Sequence, residues 1–409
     1  METLLERFAP ARLGQNYRWL TSSSWVGNVG DGIALSAGPL LIASETRSAF
    51  LVAAAAFLQR LPWLLLGLPA GVIADRVDRR MLLVCSEAFR ALVIVVLAVG
   101  LLTGHVSVAW VLATMLLLGI ADVFSNTTAG TLLPMLVDKD DLGLANSRLQ
   151  GSNVVCQLLV GPPIGAFLFA LGRAWPFLAQ AVIVTTALLL VWQIGTRKVS
   201  SAVPRSTRIR SDIREGVRWL VGHPPVRTLA LIILSFNITW GAAWSVLVLY
   251  ALHHLHMSKV GYGLLTTSSA VGGILAILLY RRLEQRWPLG NIMRVCLTLE
   301  VCTHLSLALD NTAWIAVIIM FVFGAYAFVW ATVSTTVRQR AVPKDLQGRV
   351  GSVYLISVFG GLVLGQITGG AIAQHWGVVA PFWFAFVGSA LTLLIVWRQL
   401  GAIAHADQE

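Results

Sequence analysis

The chain has 409 residues, of which 57% are hydrophobic and only 12% are charged. The charged share is about half that of an ordinary soluble protein, which all but excludes a water-soluble fold. A membrane-spanning helix needs about 20 mostly apolar residues, so this composition supplies about a dozen such helices. It leaves no room for a sizeable domain outside the membrane.

Apolar runs bounded by charges, Gly and Pro predict twelve membrane spans in chain order. Spans 1 to 6 are predicted at 18–43, 48–74, 80–103, 106–136, 146–171 and 176–196. Spans 7 to 12 are predicted at 228–252, 259–280, 289–309, 312–336, 349–374 and 378–398.

Basic residues are distributed unevenly between the segments that connect these spans. With the N-terminus in the cytoplasm, 24 of the 30 Lys and Arg residues fall in inner segments and three fall in outer ones. The positive-inside rule therefore predicts that both termini are cytoplasmic. Because the net charge of +11 is explained by topology, we expect no nucleic-acid partner.

The longest interruption between spans lies at 197–227, almost at the centre of the sequence, and carries eight Lys and Arg residues. We interpret it as a cytoplasmic linker between two bundles of six helices, 1–196 and 228–409. Within it, 211–220 alternates charge and apolar bulk as a short helix on the inner membrane surface would.

The two halves resemble each other at a shift of about 205 residues. Val-Asp-Lys-Asp-Asp-Leu-Gly-Leu-Ala-Asn-Ser at 137–147 aligns with Val-Pro-Lys-Asp-Leu-Gln-Gly-Arg-Val-Gly-Ser at 342–352. We therefore predict an all-α membrane protein of 12 transmembrane helices, in two six-helix bundles related by a pseudo-two-fold repeat. Such duplication is typical of transporters, in which two rocking halves expose a site to either side in turn.

The loop between spans 2 and 3 reads Gly-Val-Ile-Ala-Asp-Arg-Val-Asp-Arg-Arg at 71–80, and a degraded copy, Tyr-Arg-Arg-Leu-Glu-Gln-Arg, stands at 280–286. The first loop closely resembles the signature loop of the major facilitator superfamily. Its arginines offer forked donors to carboxylates and to helix C-termini, and its glycine permits a close helix approach. We predict a conformational latch, against the alternative that the arginines only orient the loop; its residues are Gly71, Asp75, Arg76, Asp78, Arg79 and Arg80.

Span 5 contains Gly161-Pro162-Pro163-Ile-Gly165-Ala166, which resembles part of the antiporter motif of the same superfamily. The segment 342–349 is similar to the branch of bacterial exporters for drugs, macrolides and siderophores. This resemblance implies a bacterial cytoplasmic membrane location and a central cavity lined by spans 1, 4, 7 and 10. It also implies that the loop around Asp75 braces against the start of span 11.

Three charges are predicted deep inside the membrane, where such residues usually have a partner or a function. Asp31, Arg60 and Asp122 lie 15, 14 and 17 residues from the outer turns, within about 5 Å of one level. Two acids with one guanidinium leave a net negative charge, so one acid would readily carry a proton. The alternative is a fixed salt bridge. Glu87 and Arg90 are expected nearer the inner surface, where they can pair with each other or with the loop around Asp75, and we interpret this pairing as structural.

Polar and aromatic residues recur at helical spacing on several spans, which predicts a cavity polar on one wall and aromatic on the other. The predicted cavity residues are Asn28, Asn126, Asn153, Gln157, Asn237, Trp240, Trp244, Tyr326 and Trp330. The alternative is that the aromatic residues serve packing or the interfacial belt.

No phosphate-binding loop and no hydrolytic triad is present in the sequence, so we expect a protein that is not an enzyme and needs no cofactor. His253, His254 and His256 are expected to form a solvated outer turn rather than a metal site. We predict a monomeric secondary transporter that exports an amphipathic drug or secondary metabolite across the bilayer in exchange for protons. The alternatives are an uptake symporter of the same fold and a lipid-handling membrane protein without ion coupling.

Overall fold

A computed structural model describes residues 11–195, 209–343 and 346–404, and the side chains of Asp75 and Lys139 lie outside the described part. Within these ranges the chain forms helices and turns and no strand. The first six long helices are α1 (Gln15–Glu45), α2 (Ala49–Arg76), α3 (Arg79–Thr103), α4 (Val108–Leu136), α5 (Leu142–Leu171) and α6 (Trp175–Trp192).

A short helix, α7, separates these six from the rest of the chain, where the sequence predicted a surface helix. The helices that follow are α8 (Pro224–Trp244), α9 (Lys259–Arg286), α10 (Leu289–Leu309), α11 (Ala313–Ala341), α12 (Gln347–Trp376), α13 (Ala380–Val396) and α14 (Leu400–Ala404). Helix α7 itself comprises Ile209–Gly222, and two further helical turns, Leu247–Leu249 and Tyr250–His254, extend α8.

Eleven of the described helices are long and apolar enough to cross a membrane, and α13 is a shorter apolar helix. Together they correspond to the twelve predicted spans, with α1–α6 as spans 1–6 and α8–α13 as spans 7–12. The predicted fold class is confirmed.

Local chemistry sets several helix boundaries. The Asp78 side chain accepts a hydrogen bond from the Met81 backbone N–H and so caps α3. Ser107 and Ser258 cap α4 and α9 in the same way. Helix α3 ends at Gly104, whose φ of 73° is a left-handed conformation that glycine adopts without a steric penalty.

Helix α5 is not a regular α-helix throughout, because Asn153–Val160 adopts the wider π-helical form. Pro162 and Pro163 follow directly and have no backbone N–H to donate to the carbonyls of the preceding turn. The missing donors explain why the hydrogen-bond spacing relaxes here. Such π-segments in α-helices are frequently found at functional sites.

The helices group into two compact units. Unit 1 covers Met1–Glu45 and Leu61–Ser206, and unit 2 covers Thr46–Arg60 and Thr207–Glu409, so far as the structure describes them. The first half of α2 therefore groups with unit 2. There the Gln374 side chain accepts hydrogen bonds from the Ser48 hydroxyl at 2.9 Å and the Phe50 backbone N–H at 3.3 Å. The bundle boundaries at 196 and 228 stay a prediction.

Corresponding helices in each unit pack in the same pattern. Helix α1 packs against α5 and α6 in unit 1, and α8 packs against α12 and α13 in unit 2. Glycines make the first of these contacts close: a Cβ at Gly32 would lie 2.7 Å from the Gln157 carbonyl oxygen. In unit 2 a Cβ at Gly361 would lie 2.7 Å from the Leu234 carbonyl oxygen. Small residues at such sites let two helix backbones approach each other.

Candidate functional site

A cluster of charges is buried in unit 1, and the Arg90 guanidinium from α3 is at its centre. Arg90 lies 2.9 Å from an Asp31 oxygen on α1, 2.7 Å from a Glu87 oxygen and 3.9 Å from an Asp122 oxygen on α4. Gly27 on α1 lies beside the guanidinium, since a Cβ there would be in ordinary van der Waals contact with Arg90 Nη2, at 3.5 Å. We call Asp31, Glu87, Arg90 and Asp122 the Arg90 cluster.

The members of the Arg90 cluster differ in their access to solvent. The side chains of Arg90 and Glu87 are 6% and 9% exposed, whereas those of Asp31 and Asp122 are each 27% exposed. Glu87 is held further by the Ser125 hydroxyl, which donates to it at 2.8 Å. The two aspartates are therefore the more accessible members of the Arg90 cluster, and Asp31 also lines a cavity in unit 1.

The Arg90 cluster corrects the interpretation of Glu87 and Arg90 as a separate pair near the inner surface. The two side chains do pair, but the same guanidinium also holds the predicted Asp31. A signal for this was present in the sequence, since Arg90 lies 15 residues before His105 at the outer turn, as deep as Asp31. The place of Arg60 in the charge network stays a prediction.

A cavity of about 380 Å³ in unit 1 opens beside the Arg90 cluster. It extends from Asp31 and Arg90 toward the N-terminal ends of α1 and α5 and the C-terminal end of α4. Its walls carry the amides predicted from the sequence together with others; the polar lining residues are Ser23, Ser24, Asn28, Asp31, Glu87, Arg90, Ser125, Asn126, Asn146, Gln150 and Asn153.

The predicted polar residues of unit 1 are mostly engaged with neighbouring groups. The Asn28 amide donates to the Ser152 hydroxyl at 2.8 Å, and the Asn126 amide donates to the Asp122 carbonyl at 2.9 Å. Asn153 is hydrogen-bonded to Gln157 one turn further along the π-segment. Gln157 is not among the residues that line the cavity; its backbone carbonyl faces Gly32 instead.

Unit 2 contains a cluster of four aromatic side chains from α8 and α11, which we call the aromatic cluster. The Trp244 ring lies 4.6 Å from that of Phe323 and 5.6 Å from that of Trp240, measured between ring centroids. The members are Trp240, Trp244, Phe323 and Tyr326. Three of the four aromatic residues predicted for the cavity therefore lie together, whereas the fourth, Trp330, stacks on Phe236 at a centroid distance of 6.2 Å.

Two residues of unit 2 that were predicted to line the cavity are hydrogen-bonded to neighbouring groups of the protein. The Asn237 amide donates to the Ile233 carbonyl at 2.7 Å, and its Cβ lies at the contact with Gly361 on α12. The Tyr326 hydroxyl donates to a Glu300 oxygen on α10 at 2.5 Å. The second contact joins two helices and was not anticipated from the sequence.

The loop predicted as a latch makes several contacts inside unit 1. Arg79 donates to the Ala74 and Thr131 carbonyls, at 3.2 and 3.4 Å. Arg80 donates to the carbonyl of Trp192, the last residue of α6, at 2.6 Å. The arginines therefore meet carbonyls at or near helix ends. The side chain of Asp75 lies outside the described residues, and Arg76 is exposed.

One prediction for this loop is wrong. Gly71 was expected to allow a close helix approach, yet a Cβ at Gly71 would meet no described atom within 4 Å. The close approach is instead at the span 5 motif. A Cβ at Gly161 or at Gly165 would overlap the backbone of α1, and the Ser36 hydroxyl donates to the Pro162 carbonyl at 2.7 Å.

Twelve helices in two units of matching internal packing define a membrane transporter with the major facilitator fold. The chain belongs to the transmembrane secretion effector family of that superfamily, whose model matches residues 6–407. It is therefore a multi-pass membrane transporter and not an enzyme.

Curated relatives of the chain are bacterial efflux proteins. It is 26% identical over 374 residues to the multidrug efflux pump Tap of Mycolicibacterium fortuitum, covering 86% of this chain and 88% of that protein. It is 21% identical over 351 residues to the macrolide efflux protein A of Streptococcus pyogenes, covering 82% of this chain and 85% of that protein.

Solved structures show the same fold at low sequence identity. A bacterial homologue of the iron transporter ferroportin, in an inward-facing state, matches with a TM-score of 0.75 at 15% identity, covering 98% of this chain and 100% of that one. The nucleoside transporter NupG matches with a TM-score of 0.71 at 13% identity, covering 95% and 99%.

Proposed function

We propose that this transporter exports an amphipathic drug or secondary metabolite from the bacterial cytoplasm in exchange for protons, by alternating access. The observation that carries the proton coupling is the Arg90 cluster. Three carboxylates share one guanidinium there, so the fully ionised cluster has a net charge of −2. Because a poorly solvated site disfavours uncompensated charge, one acid is expected to bind a proton in part of the cycle.

Asp31 is the best candidate for this acid. It lines the cavity, is 27% exposed, and has a direct hydrogen bond to Arg90 at 2.9 Å. A proton on Asp31 would weaken that bond and free the guanidinium for Glu87 and Asp122. Proton binding would thereby change contacts among α1, α3 and α4, which is the kind of local change that can bias a two-state transporter.

The substrate class is supported by the chemistry of both units. The cavity of unit 1 supplies amides and hydroxyls, and the aromatic cluster of unit 2 supplies large apolar faces that hold bulky ligands. The named multidrug and macrolide efflux relatives agree with a substrate of this kind and with export. The placement of both termini in the cytoplasm, the monomeric state and a latch role for residues 71–80 are further parts of the proposal.

An Asp31→Asn variant in inside-out membrane vesicles tests the coupling. Asparagine keeps the shape of the side chain but cannot exchange a proton. With a macrolide and a lipophilic cation as probes, we expect the variant to lose accumulation driven by an acidic lumen. Exchange of labelled for unlabelled probe, which needs no net proton movement, should persist.

Asp141→Asn is the matched control, since Asp141 pairs with Arg12 at 3.3 Å away from the cavity. It should behave as the unmodified protein in both assays. Gradient-driven accumulation by Asp31→Asn at the unmodified rate, at equal membrane levels, would refute the proton role of Asp31. If the unmodified protein accumulates the probe at a rate that does not depend on the pH gradient, transport without ion coupling would be favoured instead.

A further inference from the structure

A second group of ionisable side chains lies in unit 2, away from the Arg90 cluster. Glu300 and His304, one turn apart on α10, and Tyr326 on α11 are 0%, 0% and 3% exposed. One Glu300 oxygen lies 2.8 Å from His304 Nε2, and the other accepts the Tyr326 hydroxyl at 2.5 Å. We call these three residues the Glu300 triad.

The Glu300 triad has a free position for one proton. His304 Nδ1 is buried and has no hydrogen-bond partner among the described residues. With Nε2–H donated to the Glu300 carboxylate, the neutral ring can bind a proton at Nδ1 and release it later. This step breaks no heavy-atom contact, and the imidazolium that forms balances the carboxylate.

Several helices contribute no ionisable side chain next to the triad. Helices α13 and α14 carry none among their described residues, and α8 meets the triad through Trp244. The other ionisable groups on α10, on α11 and on the described helices packed against them are Arg227 on α8, Lys259, Tyr262, Tyr280, Arg281, Arg282, Glu284 and Arg286 on α9, Arg294, Cys296 and Cys302 on α10, Asp310 directly after α10, and Arg338 and Arg340 on α11.

The triad adjoins the aromatic cluster directly. The edge contact between the His304 and Trp244 rings has a centroid distance of 6.3 Å, and Trp244 packs on Phe323 and Trp240.

We propose that the Glu300 triad is a second proton-binding site, whose proton is released when a cationic amphiphile occupies the aromatic cluster. This proposal rests on the proposed function and adds that the substrate carries a positive charge. Aromatic faces attract cations, and a cation there would gain from the Glu300 carboxylate but be repelled by a protonated His304. Substrate and proton would therefore exclude each other, as exchange requires.

Proton release from the purified protein tests this directly. Tetraphenylphosphonium is added to the full-length protein in weakly buffered detergent at a series of pH values, and released protons are read with a pH indicator. We expect release by the unmodified protein and its partial loss in His304→Gln, with binding of the cation retained. Tyr326→Phe, which removes one donor to Glu300, should shift the pH at which release is largest.

The controls separate this inference from the proposed function. His375→Gln changes an exposed histidine of the same unit and should leave release unchanged. Asp31→Asn should keep the His304-dependent part of the release. Full release in both His304→Gln and Tyr326→Phe, or no release and no binding in the unmodified protein, would overturn the second site. Loss of all release in Asp31→Asn alone would also overturn it, while leaving the Arg90 cluster as the coupling site.

Discussion

Arg90 is the residue on which the buried charges of unit 1 depend. It contacts three carboxylates from three helices while only 6% of its side chain is exposed. Removing one partner from a buried ionic group leaves uncompensated charge, which typically costs about 3–5 kcal/mol. We expect Arg90→Ala to lower the free energy of unfolding by an amount of this order and to abolish transport.

The measurement is thermal unfolding of the purified variant in detergent, together with probe transport in vesicles. Arg294→Ala is the control, because Arg294 is more exposed than Arg90 and donates to Asn291 and to the Trp397 carbonyl rather than to a carboxylate. A melting temperature for Arg90→Ala equal to that of Arg294→Ala would show that the cluster is not held together as described.

The sequence predicted how deep each charged residue lies in the membrane, but not which neighbouring helix its side chain faces. Counting residues from the outer turns placed Asp31 and Asp122 at one level, and the same count applies to Arg90. What it cannot supply is the rotation of each helix about its axis, which decides which charges meet. For the same reason the contact between Glu300 and Tyr326, which lie on different helices, could not be predicted.

Close helix contacts in unit 1 depend on the absence of side chains at particular glycines. A Cβ at Gly32 would lie 2.7 Å from the Gln157 carbonyl oxygen, so α1 and α5 must separate to accommodate it. Overpacking of this kind typically costs about 1–3 kcal/mol. We expect Gly32→Ala to reduce the amount of monodisperse protein on size-exclusion chromatography.

Gly71→Ala provides the matched control, since its new Cβ would meet no described atom within 4 Å. It should elute and melt as the unmodified protein does. Equal behaviour of the two variants would contradict the tight α1–α5 contact.

Helix α7 packs on α12, and its contacts include a close backbone approach and an exposed ion pair. A Cβ at Gly216 would lie 2.7 Å from the Arg349 carbonyl oxygen, while the Glu215–Arg349 pair, at 2.8 Å, is 50% and 38% exposed. Exposed pairs contribute at most about 1 kcal/mol. We expect Gly216→Val to lower the melting temperature clearly and Glu215→Gln to change it little. A larger decrease for Glu215→Gln than for Gly216→Val would contradict the importance of the backbone contact.

Element positions were predictable because hydrophobic length is a strong signal in membrane proteins. All twelve predicted spans are helical, and the surface helix predicted within 197–227 is present as α7. The π-segment of α5 was not predicted, although Pro162 and Pro163 mark the carbonyls that lose their donors. The close glycine contact was expected at Gly71 and occurs at Gly161 and Gly165, because a glycine in sequence does not reveal which helix faces it.

At the scale of the whole molecule, we propose from the distribution of Lys and Arg that both termini are cytoplasmic. Lys259 and Arg286 mark the two ends of α9, so cysteines introduced there should be on opposite sides. In a background with Cys85, Cys156, Cys296 and Cys302 replaced by serine, Lys259→Cys should react with an impermeant maleimide on intact cells. Arg286→Cys should react only after the cells are opened, and the opposite pattern would invert the topology.

Proton movement driven by substrate tests the coupling of the whole transporter most directly. Purified protein is reconstituted into liposomes containing a trapped pH indicator, and a gradient of a transported probe is imposed with no initial pH difference. We expect the probe, moving down its gradient, to drive protons the opposite way, with the signal abolished by a proton ionophore and absent in Asp31→Asn. Probe flux by the unmodified protein at the full rate, without any change in internal pH, would contradict proton exchange.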